Sequence, residues 1–226
     1  LSKGISEVAV PLFFIISGLL FFKQGNNFSI NDYCNNLKKR EKSLLIPYLL
    51  VSGGVIAFFY ILQSIDALKP IFNKDLVTTK SSIELLTIWL IKPMGFQLWY
   101  IRNLLLICIV SPFIYYLIRR FSYAYIIVIA LGWLFLTSYI PHYILPTITF
   151  FSIGAFIAIK DIDITNFKCN RISVLIIFVG WLTTTFIGSV ALHKTVFWES
   201  IFINISAAIG IISIWILYDS VYKLIP

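Results

Sequence analysis

The sequence predicts an all-α, polytopic integral membrane protein with about seven transmembrane helices in its 226 residues, and three observations carry that prediction. Hydrophobic residues make up 59% of the chain and charged residues only 12%, against roughly 25% charge in a soluble domain. The mean hydropathy is +0.92. The apolar residues also fall into runs near the roughly 20 needed to cross a hydrocarbon layer of about 30 Å. Those runs are apolar on nearly every face, as in Ile126-Ile127-Val128-Ile129-Ala130-Leu131. Lipid-exposed helices have that pattern, whereas the strands of a transmembrane barrel alternate.

Each run is expected to be helical because backbone groups inside lipid must be satisfied within the segment. The first covers residues 8–22 and is short unless its helix starts near Ile5. The second covers 44–62, with Pro47 early in it, and the third 98–118. The fourth and fifth, 124–140 and 143–159, are separated by a short turn. The sixth covers 172–192 and the seventh 197–218. The one long connection, 63–97, contains an apolar stretch at 83–91 that is too short to span, and an interfacial or re-entrant helix is expected there. No internal repeat or low-complexity tract interrupts the pattern, so residues 1–226 read as a single membrane-embedded domain. The chain starts at Leu1 without a signal-peptide pattern and stops at Pro226 directly behind an apolar run, which reads as a fragment incomplete at both ends.

The formal net charge of +8 does not indicate nucleic acid, because the 18 basic residues sit mostly in short segments between apolar runs. Grouped by alternate connections, eleven lie on the side of Lys38–Arg40 and six on the other, with Arg102 inside a run. The positive-inside rule then puts the first group in the cytoplasm of a bacterial cell, with Leu1 outside the inner membrane and the Pro226 end inside. Three cysteines, Cys34, Cys108 and Cys169, show no metal or disulfide spacing and are expected as free thiols.

Few residues can carry chemistry. Lys38-Lys39-Arg40-Glu41-Lys42 precedes the second run; it serves as a positive-inside anchor or as a phosphate-binding cluster. Arg102 lies about a turn inside the third run, where an ionisable residue marks a functional site or a buried pair unless it snorkels to the interface. Glu199 enters the seventh run from the same side and is a candidate partner for it. The only histidines, His142 and His193, sit at run ends, where an imidazole needs no special explanation. Ser17-Gly18, Gly53-Gly54, Gly154 and Gly210 suit close helix packing. No Ser-His-Asp arrangement, metal-ligand cluster or glycine-rich phosphate loop is visible, so no metal is expected.

Read in order, these stretches resemble the bacterial membrane acyltransferase family known as acyltransferase 3. Phe13-Phe14-Ile15-Ile16-Ser17-Gly18 is similar to the family's Phe-Phe-x-x-Ser-Gly second helix. Lys38-Lys39-Arg40 followed by Leu45-Ile46-Pro47-Tyr48-Leu49 is similar to its basic cytoplasmic loop entering helix three. Leu98-Trp99-Tyr100-Ile101-Arg102-Asn103-Leu104 resembles a Leu-Trp-Phe-Leu-Arg-Asp-Leu pattern, with Tyr100 in place of Phe and Asn103 in place of Asp. Phe150-Phe151-Ser152-Ile153-Gly154 is similar to a later Phe-Phe-x-x-Gly element. The resemblance implies an intact protein of about ten helices, one before this chain and two after it.

It also implies an enzyme transferring an acyl group other than aminoacyl, often acetyl from acetyl-CoA, to a hydroxyl of a surface saccharide or its lipid-linked precursor. On that reading acyl-CoA is a co-substrate and no cofactor is resident; the partners are a glycan acceptor and the bilayer, with no nucleic acid. Arg40, helped by Lys39, would bind CoA phosphates. Ser17, Gly18, Trp99 and Arg102 would line the cavity or acceptor side, with Glu199 supplying the partner that Asn103 no longer offers Arg102. The family's catalytic histidine would precede Leu1, leaving the catalytic residue unassigned. A transporter or flippase for a lipid-linked or polar solute is the alternative, though it should show repeats. A scaffold without chemistry would leave Arg40 and Arg102 replaceable.

Overall fold

In a computed structural model the chain is described at residues 2–65, 72, 76–95, 98–140, 143–163, 171–191 and 196–222. Every predicted run is a helix. The first is α1 (Ser2–Phe21), which extends towards the N-terminus as its length required. The remaining runs become α3 (Ile46–Gln63), α5 (Leu98–Phe121), α6 (Tyr123–Leu136), α7 (Ile144–Ile159), α8 (Arg171–Ala191) and α9 (Val196–Tyr222). Two further helices are α2 (Ile30–Arg40) and α4 (Ser82–Leu90). Among the described residues there is no strand. Three stretches there are long and apolar enough to cross a membrane, Ile30–Gln63, Leu98–Phe121 and Ser200–Leu217, and four shorter apolar helices accompany them.

One sequence expectation is corrected. The basic run is not in a loop: Lys38, Lys39 and Arg40 form the last turn of α2, and one π-helical turn, Glu41–Leu45, joins α2 to α3 without a break. Pro47 fits because it occupies the first turn of α3, where its missing N–H has no partner to lose. The short apolar stretch of the long connection is α4, and it starts at a capping box. The Ser81 hydroxyl accepts from the Glu84 amide at 3.3 Å, and the Ser81 amide donates to the Glu84 carboxylate at 2.7 Å.

The chain divides into two compact units, 1–29 with 110–226 and 30–109. In the first, α1 packs mainly on α7 and also on α9, α8 packs on α9, and α6 packs on α7 and α9. The α1–α7 contact is backbone against backbone. A Cβ at Gly18 would collide with the Phe151 carbonyl, and one at Gly154 with the Ile15 carbonyl. Gly25, which has φ +58°, faces the Ala158 carbonyl further along, so the two helices run in the same direction. Phe21, Phe22, Phe28, Tyr115 and Phe151 close over the lower end of this crossing, with the Phe22 and Tyr115 rings stacked at 5.9 Å. Two polar side chains of α8 and α9 find partners across helices. Asn204 of α9 donates to the Trp133 carbonyl at 3.2 Å and to the Thr137 hydroxyl at 3.1 Å, and Thr185 of α8 pairs with Ser206 of α9 at 2.7 Å.

The second unit contains α2, α3, α4 and the start of α5. Here helices are tied by side chains reaching backbone. Ser52 of α3 donates to the Trp89 carbonyl at 2.9 Å, and the Trp89 indole donates back to the Leu49 carbonyl at 2.9 Å. Gly53 gives the indole room, since a Cβ there would lie 3.2 Å from its nitrogen.

Candidate functional site

The basic turn of α2 is two-sided. Tyr33, Asn36, Leu37 and Arg40 recur at helical spacing and are half-buried, while Lys38, Lys39 and Lys42 are exposed. Tyr33 ties this face to α5 by donating to the Ile109 carbonyl at 3.0 Å. The Arg40 guanidinium sits near enough to the buried Cys108 to act on it electrostatically. The sequence made Lys39 a helper of Arg40; the helix places Lys39 on the solvent side and Arg40 on the packed side. Cys34 and Cys108 are free thiols, as expected, and Cys169 lies outside the described residues.

A second polar group surrounds Arg102. Its Nε and Nη2 donate to Asn103 Oδ1 at 3.1 and 2.9 Å, and its Nη1 donates to the Ile91 carbonyl just past α4. Asn103 thus keeps an acceptor for Arg102 where the family pattern has an acid. The expected partner, Glu199, is on α9 but its side chain lies outside the described residues. Tyr48 of α3 joins the group: its hydroxyl donates to the Leu90 carbonyl at 3.1 Å, and the Arg102 charge acts on it. Trp99 is half-buried with its ring edge-on to Tyr100 at 6.4 Å. Ser52 and Trp89 escaped the sequence reading, and Tyr48 entered it only as part of a motif, without a role. The available signal was a pair of hydroxyls, Tyr48 and Ser52, on one face of an otherwise apolar run.

Ser17 and Gly18 belong to the first unit together with α9, whereas Arg40, Trp99 and Arg102 belong to the second. Ser17 and Gly18 are buried at the α1–α7 crossing, where Gly18 is in backbone contact. His142 and His193 lie outside the described residues. Among the described residues no cluster of His, Cys, Asp or Glu could hold a metal. An open cavity of about 430 Å³ between α8 and α9 is lined by Ile177, Gly180, Thr183, Thr184, Ile209 and Ile212. Both threonine hydroxyls there bond carbonyls of their own helix, so the cavity offers apolar contact rather than reactive groups.

The geometry offers two cationic places: Arg40 at the turn into α3, with the forked donors that suit phosphate, and Arg102 beside the end of α4. Outside comparisons agree with the reading of the motifs. The acyltransferase 3 family model, described as an acyltransferase domain, matches residues 2–225. The succinoglycan biosynthesis protein ExoH of Rhizobium meliloti is 23% identical over 222 residues, covering 95% of this chain. The chain spans 58% of the length of that relative. No solved structure matches.

Proposed function

The chain belongs to the acyltransferase 3 family, and from that premise we propose that it forms part of a membrane O-acyltransferase acting on a cell-surface saccharide or its lipid-linked precursor. The donor is acyl-CoA, acetyl-CoA in the first instance. A sugar hydroxyl attacks the thioester carbonyl, the carbon–sulfur bond breaks, and CoA leaves as the thiol after taking up the proton the hydroxyl loses. Such a reaction needs a base for that proton and donors for the oxyanion. The observation that carries the reading is the family match over nearly the whole chain; a relative named for succinoglycan biosynthesis supports a glycan acceptor.

Arg40 is the residue assigned to the CoA phosphates. It lies on the packed face of α2, held there by the same helix that ties to α5 through Tyr33. Lys38, Lys39 and Lys42 supply a diffuse positive field around it and meet the anionic cytoplasmic leaflet. Arg102 and Trp99 are assigned to the acceptor side, on the outer half of the inner membrane.

The test uses the full-length protein in membranes supplied with radiolabelled acetyl-CoA, following label into the polysaccharide and lipid-linked sugar fractions. Label in the wild type that falls with Arg40→Ala supports acyl transfer from a cytoplasmic CoA site. Label undiminished in Arg40→Ala removes Arg40 from the donor site. No label with acetyl-, propionyl- or succinyl-CoA counts against the activity itself.

A further inference from the structure

We propose that one molecule of acyl-CoA reaches from Arg40 to Arg102, its phosphates at the first and its thioester carbonyl beside the second. The acyl group then passes straight from CoA to the acceptor hydroxyl, with no acylated residue of the enzyme in between. This step rests on the acyltransferase reading and on three observations within the second unit.

The first is distance, followed along two helices. The packed face of α2 meets α5 at Cys108 and Ile109: the Arg40 charge acts on the Cys108 thiol, and Tyr33 donates to the Ile109 carbonyl at 3.0 Å. Arg102 lies about six residues before Cys108 on α5, roughly 9 Å at about 1.5 Å per residue. The other route follows α2 into α3. Tyr48 donates to the Leu90 carbonyl at 3.1 Å and stands beside Arg102, which donates to the next carbonyl, that of Ile91. Tyr48 lies about eight residues after Arg40, roughly 12 Å along the helix. Both routes give about a third of a hydrocarbon layer of about 30 Å. Two cations that the sequence assigns to opposite sides of the membrane are therefore close together.

The second is the order of charge. Between the two cations, residues 43–47 on one helix and 103–107 on the other carry none. Acyl-CoA has the same order: a phosphate-bearing end, an uncharged arm, then a carbonyl that becomes an oxyanion. From diphosphate to acyl carbon the arm has about thirteen bonds, the backbone length of a little over four residues, or roughly 15 Å extended. It covers the gap but would not cover the whole hydrocarbon layer. No residue has to carry the acyl group from one cation to the other. A guanidinium at the far end suits the charge that develops on the carbonyl oxygen.

The third is access. Arg102, Leu106 and Ile109 recur at helical spacing on one face of α5. Leu106 is 55% exposed and Ile109 58%, so that face is uncovered between Arg102 and the Tyr33 contact, and the arm can lie along it. The acceptor hydroxyl meets the acyl carbon at Arg102. The new carbon–oxygen bond forms, the carbon–sulfur bond breaks, and the hydroxyl proton ends on the CoA thiol.

Binding to the full-length protein in lipid nanodiscs tests the span with two probes. One is acetyl-CoA; the other is adenosine 3′,5′-bisphosphate, which keeps the phosphate end and lacks the arm. Arg40→Ala should weaken both by about 10-fold or more, the loss of a charge-assisted bond. Arg102→Ala should weaken acetyl-CoA by about 10-fold and leave the bisphosphate unchanged. Undiminished binding of acetyl-CoA to Arg102→Ala overturns the proposal, and so does an equal loss of both probes. Should Arg102→Ala fail to fold, Leu106→Trp obstructs the exposed strip instead, with the same expectation and the same overturning results. Direct transfer is read separately, from labelled acetyl-CoA given to the wild type without acceptor. Label bound covalently to the protein and chased into saccharide overturns it; no such label, with intersecting rather than parallel initial-velocity lines, supports it. Absent transfer in the wild type overturns the acyltransferase reading itself, whereas the contrast between the two binding probes still reports whether the ligand reaches Arg102.

Discussion

Where α1 crosses α7 the backbones themselves touch, whereas α4 is tied to α3 and α5 by side chains that reach across to carbonyls. Both are answers to one problem. Lipid chains are as apolar as leucine, so helices in a bilayer associate through close van der Waals contact or through hydrogen bonds. The first contact uses the absence of side chains: Gly18 and Gly154 each face the carbonyl three residues before the other glycine, Phe151 and Ile15. The second uses Tyr48, Ser52, Trp89 and Arg102. A backbone contact leaves no slack, while hydrogen-bonded side chains can let go one at a time. The Phe-Phe-x-x-Ser-Gly and Phe-Phe-x-x-Gly stretches therefore read as architecture, and the Trp-Tyr-x-Arg-Asn stretch as a place where something can happen.

The sharpest way to break that comparison is to fill the crossing. Gly154→Leu or Gly18→Leu should abolish folded protein, and Gly154→Ala should cost about 1–3 kcal/mol through overpacking. Thermal unfolding in detergent checks this, with Gly54→Ala as the control, since a Cβ there meets nothing within 4 Å. An unaffected Gly154→Ala would show the crossing to be looser than backbone contact allows. Next in size, and on activity rather than stability, Arg40→Ala should lower acyl transfer roughly 10- to 100-fold, the loss of a charge-assisted bond. Lys39→Ala should change transfer less than about threefold, as exposed ion contacts contribute little; equal effects would mean that the two-sidedness of α2 does not matter. Tyr48→Phe removes one of the three ties of α4 and should cost about 1 kcal/mol. Faster amide exchange in the segment after α4, with α1 and α7 unchanged, would confirm that the two contacts fail separately.

The smallest effect concerns the other end of α4. Donation from the Ser81 amide, then from its hydroxyl, holds the exposed Glu84 carboxyl below its ordinary value of 4.5. A depressed carboxyl stabilises the folded form fully above that value, and the contribution is lost as pH falls through the lower folded range. Exchange in the first turn of α4 should therefore rise only below about pH 4.5, and Glu84→Gln should remove most of that dependence.

The helices were legible because their signal is local. Apolar length alone marks α1, α3 and α5 to α9, and the structure shifts their ends by only a few residues outside the first. Helix α2 was not read as one, because Asn31, Asp32, Asn35 and Asn36 are weak helix formers and obscure the spacing of Tyr33, Leu37 and Arg40. The Ser81-x-x-Glu84 cap was present in the sequence as a start signal for α4 and went unused. The partners of Arg102 were beyond reach for a different reason. A guanidinium bonded to a carbonyl eleven residues away and to its own neighbour leaves no pattern in a sequence. Gly18 announced a tight contact, but only the fold could say that Phe151 stands opposite.

The π turn at Glu41–Leu45 sets which residue of the basic run faces inward. A π turn carries one residue more than the α-helical turn it replaces, and each residue advances the helix by about 100°. Removing a single residue such as Ser43 would restore regular α-helix and rotate all of α2 against α3 by that angle. Lys38, Lys39 and Arg40 would all remain, with charge and composition of the cluster intact, yet Arg40 would leave the packed face. Length, at this one turn, carries as much information as identity, and relatives that differ here by one residue should not be expected to present the same cation to the same ligand.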